Sequence, residues 1–294
     1  MKLLMENWKK FVKESEASDA FVKGQDLGLE QFTSLLKQIA SDPEFRKLAF
    51  AGRADAGGPA DEAISVQEGS PVAAIDLTPT QMDIDTNKSL GDQMTNKYKA
   101  TSAALEDVVT MPSPGGRIPL LVFENKYILD GHHRWSQVLM TNPQGQMTVS
   151  NLTSPAFGSG AEGAERALKA TQLAIASLAG NVVTKSTDLN LLKLPPEQLG
   201  QYVIKNITDE VLQLLVKAGK ISQPDRQEAA KYYMGNLQAV QAKPAGKFAR
   251  EKGMPQADDS GVPQAQVNKA LERGNINFNN PQAQDGVRSK KAAE

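Results

Sequence analysis

A chain of 294 residues is long enough for one large domain or two modest ones, each with its own core. It has no cysteine, which excludes disulfides, thiolate zinc sites and cysteine nucleophiles, and its two histidines are too few for a histidine-built transition-metal site. A net charge of −1 gives no global attraction for nucleic acid, so any phosphate recognition must be local.

The first 50 residues read as helices. Leu4, Trp8, Phe11 and Val12 form one apolar stripe, and Leu29, Phe32, Leu36 and Ile39 form another. Asp42-Pro43-Glu44 is an N-cap followed by proline at the first helical position. Lys9, Lys10 and Lys13 make a solvated face. Glu6 and Asn7 interrupt the first apolar run, and no run of about 18 apolar residues follows, so a soluble, cytoplasmic protein without a membrane partner is expected. The Ala/Gly/Pro stretch from Ala51 to Ala60 reads as a linker.

From Ile64 the pattern changes. Val72 to Leu77 is a strand candidate, ended by Thr78-Pro79-Thr80-Gln81. Asp83 and Asp85, two apart, share a side if the chain is extended there. They are candidate Mg²⁺ ligands, or plain turn residues. A helix is expected from Ser89 to about Val109, with Leu90, Met94 and Tyr98 on one face. Leu120 to Phe123 and Tyr127 to Leu129 then form a hairpin across Glu124-Asn125-Lys126.

Asp130-Gly131-His132-His133-Arg134 follows, holding both histidines of the chain. A strand passing through Gly into a helix leaves amides pointing outward at the positive end of a dipole, and Arg134 in the first turn offers a fork for phosphate. The alternative is a βα turn that holds no ligand. Trp135, Val138 and Leu139 belong to the core face of that helix by their spacing. Met147 to Ser150 is a last strand, and together these elements make a small α+β unit.

Beyond Ser154 helices dominate. Leu168, Leu173, Ile175 and Leu178 precede Gly180 as C-cap, Pro195-Pro196-Glu197 opens a second helix, Thr208 caps a third that closes at Gly219, and a fourth runs from Ser222 to about Val240. From Lys243 onward the composition predicts an extended tail, whose Lys243, Lys247, Arg250 and Lys252 form a basic cluster. The implied organisation is an N-terminal helical segment and linker (1–60), the α+β domain (64–155), a helical region (160–242) and the tail (243–294).

Residues 64 to 152 resemble the ParB/sulfiredoxin-like superfamily, whose ParB members are often called ParB-like nucleases. The resemblance rests on Ile128-Leu129-Asp130-Gly131-His132-His133-Arg134-Trp135, similar to the superfamily's strand, G-x-x-R and helix, with Leu77 to Gln81 and the strand at Met147 in the same order. It implies nucleotide binding, CTP or ATP, at Gly131, His132, His133 and Arg134, with Thr80 and Gln81 contributing. Thr78 to Asp83 resembles the N-P-x-Q-x-R element of the partition proteins, but Asp83 stands where a phosphate-binding arginine would be. Sulfiredoxin chemistry is excluded because that turn needs a cysteine. No helix-turn-helix reader of DNA follows the domain. The Met5-Glu6-Asn7-Trp8-Lys9-Lys10 start and the compact size resemble those of bacteriophage proteins, which implies the host cytoplasm as location.

Two functions follow. The first is a phosphohydrolase, an NTPase or nuclease, in which the Gly131 turn and Arg134 hold phosphate, and His132 or His133 moves a proton near neutral pH. Asp130, Asp83 or Asp85 would hold Mg²⁺ in that scheme. The second is a non-catalytic module in which nucleotide or DNA binding positions a helical scaffold for assembly or regulation.

Overall fold

The computed structural model describes residues 64–113, 116–154, 157–179, 189–243 and 262–272, with Leu36 and Ser41 besides, both helical. The remaining expectations for residues 1–63 lie outside the described residues, as do the Gly180 cap and most of the tail. The strands are β1 (Ser65–Glu68), β2 (Val72–Ala73), β3 (Thr78–Pro79), β4 (Val108–Val109), β5 (Pro112–Ser113), β6 (Gly116–Arg117), β7 (Leu120–Phe123), β8 (Tyr127–Asp130), β9 (Gln146–Met147) and β10 (Val149–Thr153). The helices are α1 (Thr86–Met94), α2 (Ala100–Ala104), α3 (His132–Thr141), α4 (Gly160–Ala179), α5 (Pro196–Asn206), α6 (Asp209–Lys217), α7 (Arg226–Gln241) and α8 (Gln264–Glu272). The fold is α+β, and among the described residues no helix is long and apolar enough to cross a membrane.

The chain separates into two compact units that the sequence order does not respect. One contains residues 68–151 and 186–251; the other contains 1–67, 152–185 and 252–294. The expected helical region 160–242 is therefore divided between them. Its later helices, α5 to α7, complete the core of the α+β part, where Leu199, Val203, Leu215, Tyr233, Leu237 and Val240 join Leu77, Leu90, Ile128 and Trp135.

Within the first unit, β7 and β8 form the expected hairpin. Glu124 and Asn125 both adopt left-handed backbone (φ 53° and 51°), and Lys126 N donates to Phe123 O, giving a mirror-image turn whose twist suits the strands. β3 lies parallel to β8, pairing Thr78 with Tyr127 and Pro79 with Ile128. A register shift between Leu121 and Val122 disturbs the hairpin beside Asp130.

Helix α3 forms where its apolar spacing predicts: Trp135, Val138, Leu139 and Met140 are fully buried, and the Trp135 indole donates to Ala74 O at 2.8 Å. Its last carbonyls are met by α7, Tyr232 donating to Thr141 O at 2.7 Å and Asn236 to Met140 O at 2.8 Å. Lys220 Nζ donates to Asn142 Oδ1 just beyond. Helix α1 runs alongside α3 in the same direction, joined by a polar seam. Ser89 and Ser136 hydroxyls are 2.9 Å apart, Gln137 donates to Lys88 O, and Thr141 donates to Gln93 Oε1.

Several expected boundaries differ. Val72 to Leu77 is not one strand but two residues of β2 and a 3-10 turn over Ala74–Asp76. The expected helix from Ser89 to Val109 begins earlier, at Thr86, because Asp85 accepts from Asn87 N and Lys88 N as its N-cap. It also breaks at Thr95, so Tyr98 does not share the buried face of Leu90 and Met94. Thr208 precedes α6 without capping it through its side chain; its hydroxyl donates instead to Met94 O. Asp225 caps α7 by accepting from Glu228 N at 2.8 Å.

In the second unit α4 packs against α8. Within the expected extended tail, α8 is a correction confined to its own residues: Val267, Ala270 and Leu271 fall on one helical face and are buried, giving it an apolar stripe.

Candidate functional site

The strand, glycine and helix read from the sequence are present as β8, Gly131 and α3. Gly131 takes φ +102°, a conformation an L side chain rarely adopts, and so swings the chain from the sheet into the helix. A Cβ there would sit 2.5 Å from Leu120 Cδ2 and 2.9 Å from the Arg134 Nη2 atom. Glycine is thus required twice, for the dihedral and because the arginine folds back over the turn.

That fold-back decides what Arg134 does. The residue is 7 % exposed, and Nη1 donates to Ile118 O at 2.7 Å and Pro119 O at 3.2 Å. Nη2 reaches Asp130 Oδ2 at 3.3 Å, and Asp130 is itself 8 % exposed. The fork expected for phosphate is turned toward the segment before β7, and the Asp130 carboxylate offsets its charge.

Each histidine likewise binds main chain. His132 is 2 % exposed, and its Nε2 accepts from Thr80 N at 2.9 Å. An atom that accepts an N–H carries no proton, so in the neutral ring the proton lies on Nδ1. The Thr80 hydroxyl donates to Ile128 O at 2.6 Å and lies 3.3 Å from the same ring nitrogen. His133, half-buried, has its Nε2 3.3 Å from the Asp85 N–H it accepts. Gln81 is buried beside Thr80 in sequence, and Met82 is exposed.

The two aspartates proposed for metal are also engaged. Asp85 caps α1, as described, and Asp83 Oδ1 accepts from Asn190 Nδ2. Among the described residues no group of three or more His, Cys, Asp or Glu is placed to hold a metal ion.

Two residues were not foreseen. Asn190 donates to Met82 O at 3.0 Å and accepts from Ile84 N at 3.1 Å and Leu192 N at 3.0 Å, so one amide fixes the whole 82–85 segment. An asparagine just before Leu191-Leu192 is the only local sign of it, as a cap residue. Tyr202, on α5, has its hydroxyl pKa raised by burial and by the nearby Asp85 carboxylate. Nothing in the local sequence marks Tyr202 apart from its place on a buried stripe.

The structure therefore gathers the residues expected to act together, but as a clasp. His132 holds Thr80, His133 holds Asp85, and Arg134 holds Ile118 and Pro119. No family model, curated protein or solved structure matches the chain.

Proposed function

We propose that this chain is a non-catalytic, phosphate-recognising module of ParB/sulfiredoxin-like character. A nucleotide, CTP or ATP with Mg²⁺, or the phosphate of a nucleic acid would dock at the Gly131 turn, and α5 to α7 would serve as its scaffold. Support for an anion comes from the turn's geometry. Gly131 brings the N-terminus of α3 to the end of β8, where the dipole is positive and the capping residue has no side chain of its own to offer.

The observation that favours binding over catalysis is the state of the imidazoles: both Nε2 atoms accept main-chain N–H groups. A general base must have its lone pair within reach of the proton it removes, and here those lone pairs are occupied. Hydrolysis would require His132 or His133 to release its partner first. Arg134 then acts as a positioning residue that keeps the turn in shape.

Thermal shift of the full chain with CTP, ATP, GTP and short DNA, each with Mg²⁺, tests the reading. One nucleotide should raise the melting temperature with no phosphate released and no plasmid cut. Turnover that disappears in His132→Ala or His133→Ala would restore the phosphohydrolase. Absence of binding to every ligand would end both readings.

A further inference from the structure

The connection between α1 and α2 carries an arrangement that the clasp does not use. Asn96, Tyr98 and Lys99 all adopt left-handed backbone, with φ 50°, 53° and 66°. For asparagine this is tolerated, but for a tyrosine it is an outlier that glycine would fill without strain. The surrounding structure holds it there. Asn96 is buried, its Oδ1 accepts from Ser102 N at 3.1 Å, its Nδ2 donates to Glu210 Oε1 at 2.6 Å, and its carbonyl accepts from Lys99 N.

The outcome of that conformation is a partly exposed aromatic ring flanked in sequence by two lysines. Tyr98 is 44 % exposed, and Lys97 and Lys99 are exposed on either side. Lys97 Nζ lies 4.8 Å from the Tyr98 ring centroid. Its contact with Asp92, at 3.9 Å, is of the exposed kind that contributes little and yields to a competing anion.

We infer that the Lys97-Tyr98-Lys99 loop is a binding site for single-stranded nucleic acid, with an unpaired base stacked on the Tyr98 ring and Lys97 and Lys99 on the flanking phosphates. Base faces stack on aromatic rings without regard to sequence, while phosphates supply salt-dependent attraction, and this loop offers both within three residues. A duplex fits poorly because its bases are already stacked. The site is separate from the nucleotide reading: α1, nine residues long, sets it about 13 Å from the Asp85 end where His133 binds.

The test is fluorescence anisotropy of a short labelled oligothymidylate with the full-length chain, at low and physiological salt. Tyr98→Ala is expected to weaken binding by about 5- to 150-fold, and Tyr98→Phe to keep it. Lys97→Ala/Lys99→Ala should lower the slope of log affinity against log salt by about 1.4. Tyr98→Gly, which relieves the backbone, should raise the melting temperature while losing the oligonucleotide, a pairing that misfolding cannot produce. Nucleotide-induced thermal shifts should persist in that variant, so failure here and failure of the nucleotide reading are told apart. Equal affinity for the matching duplex, no binding by the wild type, or unchanged binding by Tyr98→Ala and Tyr98→Gly would overturn the inference.

Discussion

The two ends of the α1/α3 pair make a similar backbone manoeuvre and use it in opposite ways. At Gly131 a positive φ starts a helix whose first side chains turn inward onto neighbouring main chain. At Tyr98 and Lys99 positive φ values follow the end of a helix and leave both side chains exposed. The first end holds the residue types that advertise chemistry, His-His-Arg, and occupies them with structural bonds. The second holds a plain Lys-Tyr-Lys and leaves it exposed. Residue type indicates what a group is able to do; its neighbours decide whether it is available.

If the clasp is structural, breaking it should cost stability in proportion to what each member holds. Arg134→Ala leaves the buried Asp130 carboxylate without its guanidinium and two carbonyls without donors, so a loss of about 3 kcal/mol or more is expected in urea unfolding. A neutral effect would show that these bonds do not hold the turn in shape. Gly131→Ala meets both the φ penalty and the Leu120 contact, and about 2–4 kcal/mol should be lost. His132→Ala removes the acceptor of the buried Thr80 N–H, at about 1–3 kcal/mol by the same measurement.

The opposite end should respond more mildly. Asn96→Ala withdraws the acceptor for Ser102 N and the bond to the exposed Glu210, and a loss of about 1 kcal/mol is expected from thermal melts. The smallest effect belongs to a carboxylate in the first turn of α7. Glu228 has its carboxyl pKa lowered by accepting from Ser222 N, the Ser222 hydroxyl and Gln223 N. Because the folded value lies below the unfolded one, near 4.3, its contribution is full above that pH and fades as acid protonates the folded carboxylate. Glu228→Gln should flatten that part of the stability curve, and an unchanged acid limb would show that carboxylate to be inert.

What the sequence disclosed depended on how local the cause was. The β7/β8 hairpin, the Gly131 turn and the buried face of α3 follow from spacing and turn residues within a few positions, and they were legible. Tyr98 was placed on a helical face because its spacing from Leu90 and Met94 fits one. The break at Thr95 overrode that spacing, with the chain fixed by Asn96 through Ser102 and the distant Glu210. The destiny of Arg134 was equally hidden, since its acceptors Ile118 and Pro119 show nothing in sequence that marks them as partners. Helix α8 was missed because a polar, proline-rich composition masked the short stripe of Val267, Ala270 and Leu271.

The carbonyls at the end of α3 are closed by Tyr232 and Asn236, more than ninety positions downstream. During synthesis the 68–151 portion therefore leaves the ribosome well before the residues that complete it, which belong to 186–251. At ordinary elongation rates the remaining stretch takes roughly 5–20 s to emerge. For that interval a nascent half-core waits with apolar surface uncovered, so premature termination anywhere before α7 should yield a chaperone client rather than a smaller working protein.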